Sequence, residues 1–209
     1  MGRVTEGPSA RRVAWSGVGV VIAAALWAIM QYGRAPTWHG LVMQPPTLAV
    51  DFTLTAHTGQ PVSLQDFRGK LVFLYFGYTF CPGMCPTTLA NLAQVVQQLG
   101  KQAQQVQVLM ISVDPARDTP ARLAAYVSAF HPTFLGVTGT PSDLAAVAPR
   151  FGIYYEQEEG TPETGYMVNH STTVLVVDQR GVMRVIWPFG TAVPAILADV
   201  QALLRHGAS

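Results

Sequence analysis

The two cysteines of this 209-residue chain, Cys81 and Cys85, stand in the run Cys81-Pro82-Gly83-Met84-Cys85-Pro86. The run follows an apolar, strand-like segment and opens a helix-like one, so both sulfurs are expected near a helix N-terminus. The positive end of the helix dipole there favours thiolate over thiol. A thiolate is the form that ligates metal or attacks a disulfide. Two cysteines are too few for a disulfide framework, which leaves one bridge, a redox pair or a pair of ligands. Cβ atoms four residues apart on a helix are ~5–6 Å apart, wider than the ~3.5–4.5 Å of a disulfide. A bridge therefore requires non-helical backbone at Pro82 and Gly83, which both residues permit. Two soft thiolates can share one metal ion without that distortion. Cu(I) prefers such ligands, and an imidazole completes a three-coordinate site that also tolerates Cu(II). Two cysteines, a histidine and a water also suit zinc. The bland alternative is a bridge that staples the loop, or two inert thiols. A closed loop this short gains little from such a staple, and a strand-to-helix turn is where a reactive cysteine belongs.

Five histidines are available to supply the imidazole. His39 falls in a proline-containing linker, His57 in a hairpin turn, His131 at a helix end before Pro132, and His206 near the C-terminus. His170 precedes a buried strand, in the loop expected to face the cysteines. Spacing alone weighs His170 about equally with the other four together. Met84 and Met167 are soft enough to ligate Cu(I), but methionines more commonly fill gaps in a core, and both are left out of the ligand set. The run 114–120 reads as a turn and helix cap, with a role for Arg117 or Asp118 beside the cysteine loop as the less favoured reading.

The elements that position these residues alternate. Segments 51–54 and 61–64 flank a turn at 57–60 and suggest a hairpin. The runs 71–76 and 106–113 are continuously apolar, as strands buried on both faces are. Leu89, Leu92, Val96 and Leu99 follow helical spacing. Thr119 with Pro120, and Thr140 with Pro141 and Asp143, are helix starts. Segments 173–177 and 182–187 pair across the turn 178–181, and a last helix spans about 193–204. This order predicts an α/β, thioredoxin-like fold with an N-terminal β-hairpin extension. Right-handed crossovers bring the loops carrying Cys81, Cys85 and His170 to one sheet edge.

Apolar residues make up 49% of the chain, charged residues 12%, and the formal net charge is +1. That composition excludes a disordered chain and gives no footprint for nucleic acid. The 21 residues 13–33 carry no charge. As a helix they would span ~31 Å, the thickness of a bilayer core. Arg3, Arg11 and Arg12 precede them and Arg34 follows, so the basic excess predicts a cytoplasmic N-terminus. A cleaved signal peptide would have a shorter apolar region and a small-residue cleavage site. The expected division is therefore a cytoplasmic segment 1–12, a single transmembrane helix 13–33, a linker 34–46 and an extracytoplasmic domain 47–206. The absence of an Arg- and Ser-rich leader points to a bacterial inner membrane with the domain in the periplasm.

The segment Gly77-Tyr78-Thr79-Phe80-Cys81-Pro82-Gly83-Met84-Cys85-Pro86 closely resembles the signature of the Sco/SenC family. So do Ser112-Val113-Asp114-Pro115-Ala116-Arg117-Asp118-Thr119 and Gly136-Val137-Thr138-Gly139-Thr140, while Met167-Val168-Asn169-His170-Ser171 resembles its histidine loop. The resemblance covers nearly all of residues 46–206. It implies a thioredoxin fold that binds Cu(I) or Cu(II) through Cys81, Cys85 and His170. The implied role is assembly of the binuclear CuA centre in subunit II of cytochrome c oxidase, by delivering copper or by reducing the cysteines that receive it. The implied partners are that subunit, or another copper-site protein, and a copper donor. Some family members resemble general copper or redox-stress proteins instead. On that alternative the chain is an extracytoplasmic thiol–disulfide oxidoreductase, with Cys81 and Cys85 as its catalytic redox pair. A peroxidase on this fold would need an Arg and a Thr arranged about one cysteine, which the motif does not supply plainly. Two departures stand out: Gly83 and Asn169 occupy positions where the family usually has Asp. Loss of these carboxylates makes the site less anionic, which disfavours Cu(II) more than Cu(I), and loss of a ligand-orienting group typically costs ~10–100-fold in metal affinity or activity.

Overall fold

The structure is a computed structural model and describes residues 2, 20–24, 26, 37–161 and 165–206. Most of the stretch 13–33, expected to be a membrane anchor, lies outside the described residues. Positions 20–24 and 26 within it are helical and exposed. Among the described residues no helix is long and apolar enough to cross a membrane. The chain divides into two units, Met1–Thr37 and Trp38–Ser209. The account below concerns the second.

Its elements run β1 (Leu41–Leu48), β2 (Thr53–Ala56), β3 (Pro61–Ser63), β4 (Leu71–Gly77), α1 (Met84–Gln98), β5 (Val106–Ser112), α2 (Pro120–Phe130), β6 (Leu135–Thr138), α3 (Pro141–Val147), β7 (Tyr155–Glu159), β8 (Tyr166–His170), β9 (Val174–Val177), β10 (Val182–Trp187) and α4 (Val193–His206). Eight strands form one sheet in the order β1-β10-β9-β4-β5-β6-β2-β3. β4, β5 and β6 are parallel, while β9 runs antiparallel to β4. This is the mixed α/β thioredoxin-like fold that the alternation of elements predicts. The expected hairpin extension is β2–β3, and β2 joins the sheet antiparallel to β6.

All seven residues of β4 are buried, as befits a central strand covered on both faces. α1 turns Leu89, Leu92, Val95 and Val96 inward and packs against α2 and α4. Thr119 caps α2 by accepting from the Arg122 N–H. Thr140 and Asp143 form a capping box on α3. Both caps are legible in sequence because they satisfy otherwise orphaned N–H groups with local side chains.

Two expectations need correction. Residues 41–46 of the stretch read as a spacer are the start of β1, which pairs antiparallel with β10. Pro45 and Pro46 sit where the register shifts between Val42 and Thr47, and β1 is the outermost strand. An edge strand and a bulge are the places where a sheet tolerates proline. The second concerns β7 and β8, a separate two-stranded sheet. His170 was expected in a loop, but it is the last residue of β8. The sequences Tyr155–Glu159 and Tyr166–His170 lack the apolar alternation that betrays a strand, since β7 is almost wholly exposed.

Candidate metal centre

The cysteine run leaves the C-terminal end of β4 and enters α1. Gly83 is the residue before the helix and Met84 its first residue. Pro86 falls in the first turn, where a missing N–H breaks no helical bond. The Cys85 N–H points back to Cys81 Sγ at 3.4 Å. Gly77, the last residue of β4, makes room for the second sulfur. A Cβ there would lie 2.9 Å from Cys85 Sγ and 2.9 Å from Tyr75 Cε1.

β8 delivers the third donor. His170 Nε2 lies 3.5 Å from Cys85 Sγ, and a donor atom from each of Cys81, Cys85 and His170 lies within 4.8 Å of the others. Cys81 is 7% exposed, Cys85 0% and His170 6%. The His170 ring is oriented from behind, because Nδ1 lies 2.9 Å from the Ser171 carbonyl oxygen. A metal there would take Nε2 as its ligand while Nδ1–H donates to that carbonyl. Tyr78 packs edge-on to the imidazole with centroids 5.6 Å apart, and its hydroxyl accepts from the Val168 N–H at 3.3 Å. Three donors each ~2.3 Å from one ion in a trigonal plane stand ~4 Å apart. The separations here meet that demand with small adjustments, so this Cys₂His cluster suits copper.

The two thiols are unlike. Cys81 is lowered to about 3, chiefly because the Cys85 thiol donates to its sulfur, with burial opposing and His170 and the backbone N–H groups of Cys85 and Gly83 assisting. Cys85 is pushed up by that same shared hydrogen bond and by burial. The shared hydrogen bond therefore favours thiolate at Cys81 and thiol at Cys85. Both cysteines are free, with no bridge between them.

His39, His57 and His131 lie elsewhere. His39, assigned to the linker, is bound to Asp199. His57 accepts from the Gly136 N–H, and His131 contacts Thr133. Of the run 114–120, neither Arg117 nor Asp118 is among the donors, but both hold the loops that carry them. Asp118 accepts from the Thr79 N–H at 3.0 Å, Thr79 Oγ1 at 2.6 Å and Ser112 Oγ at 2.7 Å. Arg117 donates to the Tyr166 carbonyl at 2.9 Å and pairs with Asp114. Its guanidinium lies 3.6 Å from the Tyr166 ring centroid and 4.5 Å from that of Phe80. The cysteine loop and β8 are thus fastened to one cation. The sequence shows the residues but no signal of this long-range link.

Sequence reasoning also missed Glu158. The Asn169 side-chain amide donates to Glu158 Oε1 at 3.3 Å, and Glu158 lines the same cavity as Cys81 and His170. β7 therefore returns a carboxylate to the wall where Asn169 lacks one. Residue pairing across β7 and β8 was the only cue, and neither strand was foreseen.

Fold and site together define a thioredoxin-like domain with a buried Cys₂His donor cluster at the end of its central strand. The sequence pattern of the SCO1/SenC family matches residues 42–205, and the chain belongs to that family. Protein SCO2 homolog, mitochondrial, of Bos taurus is 42% identical over 159 residues, covering 75% of this chain and 60% of that protein. The chain spans between 44% and 64% of the length of the curated relatives it matches. Among solved structures, apo Sco1 from Thermus thermophilus has a TM-score of 0.72 at 38% identity, covering 80% of this chain and 98% of that one. Copper-bound ScoI from Arabidopsis thaliana has a TM-score of 0.71 at 29% identity, covering 77% and 100%.

Proposed function

We propose that the chain is a membrane-anchored copper-binding assembly factor for the CuA centre of subunit II of cytochrome c oxidase. In this reading Cys81, Cys85 and His170 hold copper as cargo on the extracytoplasmic side of a bacterial inner membrane. The convergence of two sulfurs and an imidazole nitrogen within 4.8 Å carries the proposal. Copper-bound relatives, family membership and the uncharged stretch 13–33 support it. The chain's own groups prepare the site: Cys81 arrives as thiolate, Cys85 gives up its proton on binding, and Ser171 fixes the imidazole.

Titration of the reduced full-length chain in detergent with Cu(I), under argon, should end near one copper per chain. Competing Zn²⁺ should fail to displace it, because thiolates favour Cu(I). Equal affinity for both ions, or no stoichiometric copper, sinks the reading. The unlike thiols favour a second reading, a thiol–disulfide oxidoreductase in which Cys81 attacks and Cys85 resolves. In that case His170→Ala should leave exchange with a small disulfide intact.

A further inference from the structure

The cavity of about 500 Å³ that reaches Cys81 and His170 has two methionines in its walls. Met84 comes from the first turn of α1 and Met167 from β8. Neither is a donor in the Cys₂His cluster. The gap-filling role usual for methionine fails for Met84, which is 42% exposed. Met167 is half-buried. Glu158 completes the rim, and among the described residues it makes no salt bridge.

A thioether is a soft, uncharged donor that does not titrate. It holds Cu(I) and discriminates against Cu(II) and Zn²⁺, which prefer harder ligands. It also binds more weakly than a thiolate, so an ion held by sulfur of one kind at the mouth moves inward to sulfur of the other kind.

We propose that Met84 and Met167 form an intake site for Cu(I), with Glu158 lending negative charge at the mouth. This rests on the copper reading of Cys81, Cys85 and His170. The ion stays Cu(I) throughout. Bonds between copper and its donor break as thioether–copper bonds form. These exchange in turn for bonds to Cys81 Sγ, Cys85 Sγ and His170 Nε2, and the Cys85 thiol proton leaves to water.

The test is stopped-flow capture of Cu(I) from its bicinchoninate complex by the full-length chain in detergent. Replacing both residues (M84L, M167L) should slow capture about tenfold, within the range mutation moves association rates, and leave the equilibrium affinity unchanged. Capture at the wild-type rate, or a loss confined to equilibrium affinity, overturns the inference. A second measurement reads the thioethers directly. With methionine methyls ¹³C-labelled and Cys81, Cys85 and His170 all replaced by Ala, Ag(I) should shift the Met84 and Met167 resonances selectively, and unmoved resonances refute the site. If the wild type takes up no copper, the Cys₂His reading itself fails. If it does, and the leucine variant is equally fast, the methionine site alone falls.

Discussion

His39 and His170 each sit where distant parts of the chain converge, yet their surroundings do opposite things. At His39, the buried Asp199 carboxylate of α4 is saturated. It accepts from the His39 N–H at 2.9 Å, the Gly40 N–H at 2.9 Å and Trp187 Nε1 at 2.9 Å, and it contacts His39 Nδ1 at 3.0 Å. Neither carboxylate oxygen is left unpaired, and the cluster fastens the start of β1 to the end of β10 and to α4. At His170, Nδ1 contacts the Ser171 carbonyl oxygen, while Nε2 faces two cysteine sulfurs, soft donors that a metal ion can take over. A convergent polar cluster with every group satisfied holds the fold, whereas one with donor atoms left facing each other is a site.

Asp199→Ala should have the largest effect and separate the two regions most sharply. It strips partners from three buried or half-buried N–H groups, so we expect about 3 kcal/mol of stability lost with copper stoichiometry unchanged. Urea unfolding and copper titration of the same sample would show it. A change in copper binding at intact fold would break the distinction.

The converse variant, His170→Ala, should lower copper affinity on the order of 100-fold while its urea midpoint barely moves. Glu158→Gln comes next. It removes the carboxylate that Asn169 contacts, and an affinity loss of about tenfold with unchanged stability is expected by chelator competition. His39→Ala should cost only about 0.5 kcal/mol, since that side chain is 43% exposed and Asp199 keeps its other donors.

The last prediction is an absence of change. Because Cys81 is lowered to about 3, alkylation of the reduced metal-free chain by iodoacetamide should be flat between about pH 5 and 8, where an ordinary thiol of pKa ~8.5 gains reactivity. Peptide mapping should place the label on Cys81. The sign for stability follows the same shift. A depressed folded-state value stabilises fully above the unfolded thiol's pKa, and that contribution fades as pH falls toward the folded value. A steep rise in labelling through pH 8 would contradict the thiolate.

The elements most legible in sequence were those whose signals are local or periodic. The buried runs of β4 and β5 and the caps at Thr119 and Thr140 are of that kind, and they lie where expected. β1, β7 and β8 were missed because their identity depends on partners. A proline-bearing edge strand and an acidic exposed strand carry no period of their own, and they are strands only because β10 and each other supply hydrogen bonds. The same holds for Asp199, a buried carboxylate in an apolar helix whose partners lie more than 150 residues back or on the preceding strand.

The sequence by itself determined the kinds of donor atom, two sulfurs at a strand-to-helix turn and a set of imidazoles, because side-chain chemistry and short spacing are local properties. Choosing among the five histidines on physical grounds needed the tertiary structure. So did the roles of Arg117 and Asp118, the return of a carboxylate by Glu158 and the unequal protonation of Cys81 and Cys85. Each of these depends on distance and burial between segments far apart in the chain, and both are fixed only when the sheet closes over its core.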